Sequence, residues 1–444
     1  MPPQDIDRRT LLKLSGLSLV GATAGCLEGE EEPTTTEQSG GGGGDSGGDS
    51  GGEETTAESD DSGSGSSSYT IGMVDSLTGS LAPYGERNTR GRELALEAVN
   101  EVGIGDGATL EISVEDDEST NQGGVNGAQK LVNQDGVPLL IGSVGSGVSI
   151  AIHDSVTNDA GVVQISQNST SPELTSRPNL NRMSPSGAAK GTALANLVYD
   201  DGHENVAVTW INNDYGTGLS DVFAETFESE LGGTVSYNEP HDQGQSSYSG
   251  ILTEMASTDA SAWVFITYAN EYTVMVNEGF DQGYNTAVDY YGAESTVADS
   301  IIENTPEGSM NGMKGITESA PQDQENYQNF VSAFESAYDT TPTVWSAYAY
   351  DAVTVAALAI EAADEFTGDA LASVVRDVTR PDGEEVFTFE EAAAILKDGG
   401  SPSDINYQGV SGPVDLNENG DPPGFYQIYS VENHEYVFGD YITS

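Results

Sequence analysis

The chain of 444 residues has a single cysteine, Cys26, so no intramolecular disulfide can form. Its four histidines, His153, His203, His241 and His434, stand at no metal-ligand spacing. Basic residues are scarce: 14 Lys and Arg face 73 Asp and Glu, for a formal net charge of −59. That imbalance excludes nucleic acid and anionic membrane surfaces as partners. There is no Walker loop and no G-x-S-x-G elbow. "DLNENGD" (415–421) opens like a calcium loop, but Tyr426 stands where the twelfth-position Glu is needed, so it reads as a turn. Ser and His lie close together in "GSGVSIAIHDS", but on a predicted helix and without a third partner. No cofactor, no metal and no catalytic set are therefore expected, and the protein is not read as an enzyme.

What is present divides into three stretches. Residues 1–26 carry Arg8 and Arg9, the apolar run Leu11 to Ala24, and "TAGC" ending at Cys26. The run is shorter than the ~20 residues a membrane-spanning helix needs. This order predicts a twin-arginine export signal and a lipid-attachment cysteine, hence an extracytoplasmic, lipid-anchored protein. Residues 27–68 are rich in Gly, Ser, Thr and acids, without apolar periodicity, and are expected to form a disordered linker. Residues 69–444 hold 11 basic and 59 acidic residues. Such self-repulsion is tolerable where molar salt cuts the Debye length to ~3 Å, which points to a hypersaline habitat.

The body alternates strand and helix patterns. "YTIGMV", "TLEISV", "VPLLIG" and "GVVQIS" read as four strands separated by helices. "NVAVTWI", "GTVSYNEP", "AWVFIT" and "AVDYYG" repeat the pattern. Two α/β sheets of parallel strands follow. After about residue 315 the chain becomes helical, with late strand candidates at 407–416 and 425–431. A chain that fills two sheets and then returns crosses between them more than once, which makes a hinge.

Ligands of open α/β sheets sit beyond the carboxyl ends of the strands. Six such ends present Tyr84, Ser146, the run Ser166 to Ser171, Tyr215, Tyr268 and Glu294. Hydroxyls and helix-start N–H groups on the first sheet suit a carboxylate. Glu294 on the second suits an ammonium, and the tyrosines suit an apolar group or a cation. A small zwitterion fits this division. Each residue also has an ordinary alternative. Ser146 can cap a helix starting near Gly147, Thr170 can cap the turn before Pro172, and Glu294 can be one more surface acid. The tyrosines can be plain packing residues. "NST" at 168–170 is also a glycosylation acceptor pattern.

Residues 69–444 resemble the type I periplasmic binding proteins of the leucine/isoleucine/valine-binding branch. The resemblance rests on "IGMVDSLTGSLAPYG", "LIGSVGS", "ISQNSTSPELT", "NNDYGTGL", "YAYDAV" and "GVSGPVDLNENGD", in that order. It implies two Rossmann-like lobes with parallel sheets, joined by a three-crossover hinge. Lobe 1 would be 69–186 with 318–408, and lobe 2 would be 187–317 with 409–444. Crossings are expected near 184–190, 314–320 and 405–411. The resemblance also implies a haloarchaeal substrate-binding lipoprotein of an ABC importer, monomeric, that captures a branched-chain or other small amino acid, an amide or urea. It would hand that ligand to a membrane permease. A sensor feeding a chemotaxis transducer is the alternative. Ser146 would bind the ligand carboxylate, Asn168 would offer its backbone carbonyl to the ammonium, and Thr170 its hydroxyl and N–H to the ligand ends. Glu294 would pair with the ammonium, while Tyr84, Tyr215 and Tyr268 would line the pocket. Gln167 and Asn168 replace small apolar residues of the family, which would shift preference toward a polar ligand.

Overall fold

The computed structural model describes residues 67–443. The expected export signal, Cys26 and nearly all of the linker lie outside the described residues. Ser68, placed at the linker's end, already opens the first strand.

The first sheet contains β1 (Ser68–Asp75), β2 (Thr109–Asp116), β3 (Leu139–Gly142), β4 (Val163–Ser166) and β5 (Leu180–Arg182) in the order β2-β1-β3-β4-β5. All pairs are parallel. β3 and β4 are buried throughout, as strands covered by helices on both faces must be. One covering helix is Ala82–Val102, whose start is favoured by Pro83 in the first turn. It packs against the helix Val344–Ala362, which returns from far along the chain. Gly91 permits this approach, since a Cβ there would lie 2.1 Å from the Ser346 carbonyl oxygen.

The second sheet is built from β6 (Asn205–Ile211), β7 (Thr234–His241), β8 (Ala262–Ile266), β9 (Asp289–Gly292) and β10 (Lys314–Glu318), all parallel. A three-stranded patch follows: β11 (Glu384–Val386), β12 (Ile405–Gly409) and β13 (Gly412–Pro413). Finally β14 (Phe425–Glu432) adds antiparallel to β10 and β15 (Glu435–Thr443) antiparallel to β14, giving the order β15-β14-β10-β9-β8-β6-β7. The strands β5, β10, β11 and β15 were not anticipated from the sequence. Three are short or solvated, and β10 falls where helical patterning takes over.

The chain passes between the two sheets three times. The first passage follows β5, and the second follows β10. The third lies between Leu416 and Phe425, later than the 405–411 expected. Val414 and Leu416 belong to the core of the first sheet, whereas Tyr426 belongs to that of the second. Asp351 explains the delay. Its buried carboxylate accepts from Val410 N (2.9 Å), Ser411 N (2.8 Å), the Ser411 hydroxyl and the Tyr407 hydroxyl (2.8 Å). These bonds hold the β12–β13 turn on the first half. The first and third passages are clasped by Arg182, whose Nε meets Asp421 Oδ1 at 2.6 Å in the interior. "DLNENGD" forms the turn expected of it, with Gly420 N bonded to the Asn417 carbonyl (3.0 Å).

Candidate functional site

Strand order places the site. In the first sheet β1 lies between β2 and β3, and in the second β6 lies between β7 and β8. Successive loops therefore leave in opposite directions on either side of these strands and open a crevice at their carboxyl ends. Tyr84 stands in the first turn of the helix after β1. Ser146 opens the short helix after β3, and Asn168 and Thr170 follow β4. Across the crevice, Tyr215 stands in the first turn of the helix after β6. Tyr268 caps the helix after β8, and Glu294 begins the turn after β9.

All seven residues line one cavity, together with Leu81, Val144, Ser295 and Trp345. The two halves meet around it. Gly218 of the second half abuts Ser171 and Pro172 of the first; a Cβ there would lie 2.8 Å from Pro172 Cδ. Gln243 Nε2 donates to the Ser80 hydroxyl at 2.5 Å. Only about 30 Å³ admits the centre of a water molecule, room for about two waters. A wider depression of about 580 Å³, bordered by the same Glu294 and Trp345, adjoins it.

The run after β4 has a division of labour. Ser166, Gln167, Asn168, Ser169, Thr170 and Ser171 are all buried. Ser166 and Ser169 turn into the protein: their hydroxyls bond the Ser143 carbonyl (2.9 and 3.1 Å), and Ser169 Oγ meets Ser149 Oγ at 2.8 Å. Gln167 also points away from the cavity, with Nε2 on Asp75 Oδ1 at 3.3 Å. It therefore contributes nothing to the cavity's polarity, against expectation. Asn168 and Thr170 face the cavity. Asn168 Oδ1 is buried and accepts no hydrogen bond. The same burial leaves no room for a glycan on Asn168.

Ser146 does not cap its helix; Gly145 occupies that position. Its hydroxyl oxygen accepts from Ser171 N (3.1 Å), which leaves its proton free to be donated. Capping of the turn at Pro172 falls to Ser171, not Thr170. The Thr170 carbonyl accepts from Gly187 N at 2.7 Å, which ties the site to the first passage between sheets.

The opposite wall is aromatic and charged. Tyr215 and Tyr268 stack with centroids 5.5 Å apart, and Asn213 Nδ2 donates to the Tyr268 hydroxyl at 3.1 Å. On the first sheet's side, Tyr84 meets Trp345 edge-to-face at 6.0 Å. Burial, reinforced by Glu294, holds the Tyr84 and Tyr215 phenols above their ordinary range, so both stay protonated.

Glu294 is buried rather than a surface acid, and it is not free. Lys190 Nζ lies 2.5 Å from Glu294 Oε2 and 2.8 Å from Glu318 Oε1, with the lysine fully buried. The Lys190 ammonium thus occupies Oε2 of Glu294, whereas Oε2 of Glu318 accepts no hydrogen bond. Burial alone would lower the lysine's pKa, but Glu294 and Glu318 outweigh it and raise it. Burial pushes Glu318 up to about 7, opposed by Lys190 and reinforced by Glu294. With both carboxylates ionised the triad carries one uncompensated negative charge. Sequence reasoning missed Lys190 and Trp345. Lys190 had a signal, being the only basic residue between Arg182 and Lys314. Trp345 had none beyond its place in an aromatic helical run.

Two α/β sheets with a small polar cavity enclosed between their strand ends define a protein that surrounds a small solute. The chain belongs to the periplasmic binding protein family, whose model matches residues 68–399. Leucine/isoleucine/valine-binding proteins are among the relatives it resembles. It is 28% identical to Leu/Ile/Val-binding protein homolog 3 of Brucella melitensis over 51% of this chain and 62% of that protein, so it spans less than two thirds of that relative. It is 26% identical to the leucine-, isoleucine-, valine-, threonine- and alanine-binding protein of Pseudomonas aeruginosa, over 69% of this chain and 81% of that one. The crystal structure of the leucine binding protein LivK of Thermotoga maritima superposes with a TM-score of 0.72. That match covers 84% of this chain and 98% of the other at 23% identity, a likeness of fold.

Proposed function

We propose that this protein is an extracytoplasmic receptor that captures a small amino acid, or a related amide, for an ABC importer. One observation carries the reading: seven strand-end residues from both sheets meet in one cavity that holds hydroxyl donors, a buried amide oxygen without a hydrogen-bond partner and a carboxylate. The free hydroxyl protons of the Ser146 side suit a carboxylate or carbonyl oxygen. Asn168 Oδ1 and the Glu294 carboxylate suit N–H donors, and the triad's net charge suits an ammonium. A simple carboxylic acid would add a second uncompensated negative charge and is disfavoured.

The cavity is too small for an amino acid as it stands, so entry requires the halves to part. Residues 67–183 with 319–416 and 187–318 with 425–443 would move as two lobes about the three passages. Partners would be a membrane permease, and attachment would be through lipid on Cys26, outside the described residues. No helix among the described residues is long and apolar enough to cross a membrane. Calorimetry at molar salt against amino acids, amides and urea tests the ligand class. Binding by at least one is expected, and binding by none removes the class.

A further inference from the structure

A second buried polar cluster lies behind the cavity wall, at the ends of β1 and β4. Asp75, Asn88 and Gln167 are fully buried. Asp75 Oδ1 accepts from Ser76 N (3.0 Å), Asn88 Nδ2 (3.2 Å) and Gln167 Nε2 (3.3 Å). The second carboxylate oxygen, Asp75 Oδ2, and the two amide oxygens, Asn88 Oδ1 and Gln167 Oε1, accept no hydrogen bond among the described residues. Each amide oxygen shares its carbon with a nitrogen fixed at Asp75 Oδ1, so all three oxygens belong to side chains that meet at one carboxylate. Turning over an amide does not help, because it would set an amide oxygen against Asp75 Oδ1.

Charge points the same way. Asp117 adjoins the cluster: Ser76 Oγ donates to its Oδ2 at 3.0 Å, and Ser143 Oγ donates to the same oxygen. Arg92 is the basic group that acts on Asp75. Burial holds both carboxyls above their ordinary range; with both ionised, two carboxylates against one guanidinium leave one negative charge in excess. A proton on Asp75 can serve one of the other two acceptors, and a water can donate to two. A cation serves all three and cancels the charge. We propose that Asp75, Asn88 and Gln167 form a binding site for one monovalent alkali-metal cation.

The donor set is all oxygen, as a hard cation requires, and its single direct carboxylate matches a single charge. Two of its three ligands are amides, and no group of three or more His, Cys, Asp or Glu side chains forms a metal site among the described residues. Burial pushes the Asp75 carboxyl up to about 7 against the opposing effects of Asn88 and Arg92, so its anion is under-supported by the protein alone. Asn88 shares a helix with Tyr84, and Gln167 adjoins Asn168. A bound cation would therefore pin two cavity-lining segments to β1.

Thermal unfolding of the full chain at pH 8 and fixed ionic strength, in NaCl, KCl and choline chloride, tests the site. The wild type should melt higher in an alkali chloride than in choline chloride, by on the order of 3 °C. Asp75→Asn and Gln167→Leu should both abolish the difference. Equal midpoints in all three salts would overturn the proposal, leaving a proton or water in the cluster. A difference that survives both substitutions would also overturn it, placing the cation effect on the acidic surface. Should Asp75→Asn fail to fold, ²³Na line broadening that KCl relieves in the wild type, and that Gln167→Leu loses, supports the site; equal broadening in both proteins rejects it.

Discussion

Lys190 Nζ sits 2.5 Å from Oε2 of Glu294, so the cavity's carboxylate already has a cation of the chain beside it. What makes the arrangement open to a ligand is the third member, Glu318, 2.8 Å from the same nitrogen. One lysine between two glutamates leaves one negative charge in excess when both are ionised, and leaves Oε2 of Glu318 without a hydrogen bond.

Replacing Glu294 by Gln removes the excess charge and keeps the shape. Affinity for an amino acid should fall by more than about tenfold, as loss of a buried charge partner implies. Titration calorimetry checks this, and an unchanged affinity takes Glu294 out of the site.

Lys190→Met strands two buried carboxylates together. Stability should drop by on the order of 3–5 kcal/mol, the usual cost of breaking a buried pair. Adding Glu318→Gln should recover part of the loss. Chemical denaturation of both variants at molar salt measures the two effects.

The raised Glu318 pKa, about 7 in the folded chain, sets a direction with pH. The folded state holds this proton more tightly than the unfolded state. Its contribution to stability is therefore greatest at low pH and declines as pH rises to about 7, then levels off. Ligand binding runs the other way. An ammonium favours the ionised carboxylate, so affinity should rise with pH up to about 7, with proton release below it. Calorimetry in buffers of different ionisation enthalpy counts that proton, and Glu318→Gln should abolish it.

Of the three tryptophans, only Trp345 lines the cavity. Ligand should change the intrinsic fluorescence of the wild type, and Trp345→Phe should remove most of that change. A change that persists in full would place the response at Trp210 or Trp263.

Gly218 packs against Ser171 and Pro172 where the two halves meet. Gly218→Val should favour the parted form and weaken binding by on the order of tenfold, because fewer molecules are competent to close. Small-angle scattering with saturating ligand should show a larger radius than the wild type.

How much of this was legible in the sequence follows from what each feature depends on. The two sheets, the strand ends and the residues Tyr84, Ser146, Asn168, Thr170, Tyr215, Tyr268 and Glu294 depend on local pattern. An apolar strand that stops at polar residues before a helix announces its carboxyl end, and the topology of parallel sheets sends such ends to one crevice. Tertiary structure decided what those residues touch. Lys190 and Glu318 stand 128 residues apart, and no local signal couples them. The third passage moved downstream because Asp351, 59 residues before Val410, holds that turn by hydrogen bonds. Gln167 and Asn168 are neighbours in the chain, yet one turns to Asp75 and the other to the cavity. The sequence by itself determined which side chains arrive at the crevice. Only long-range packing and the pairing of buried charges decided which of them face it, and with what charge.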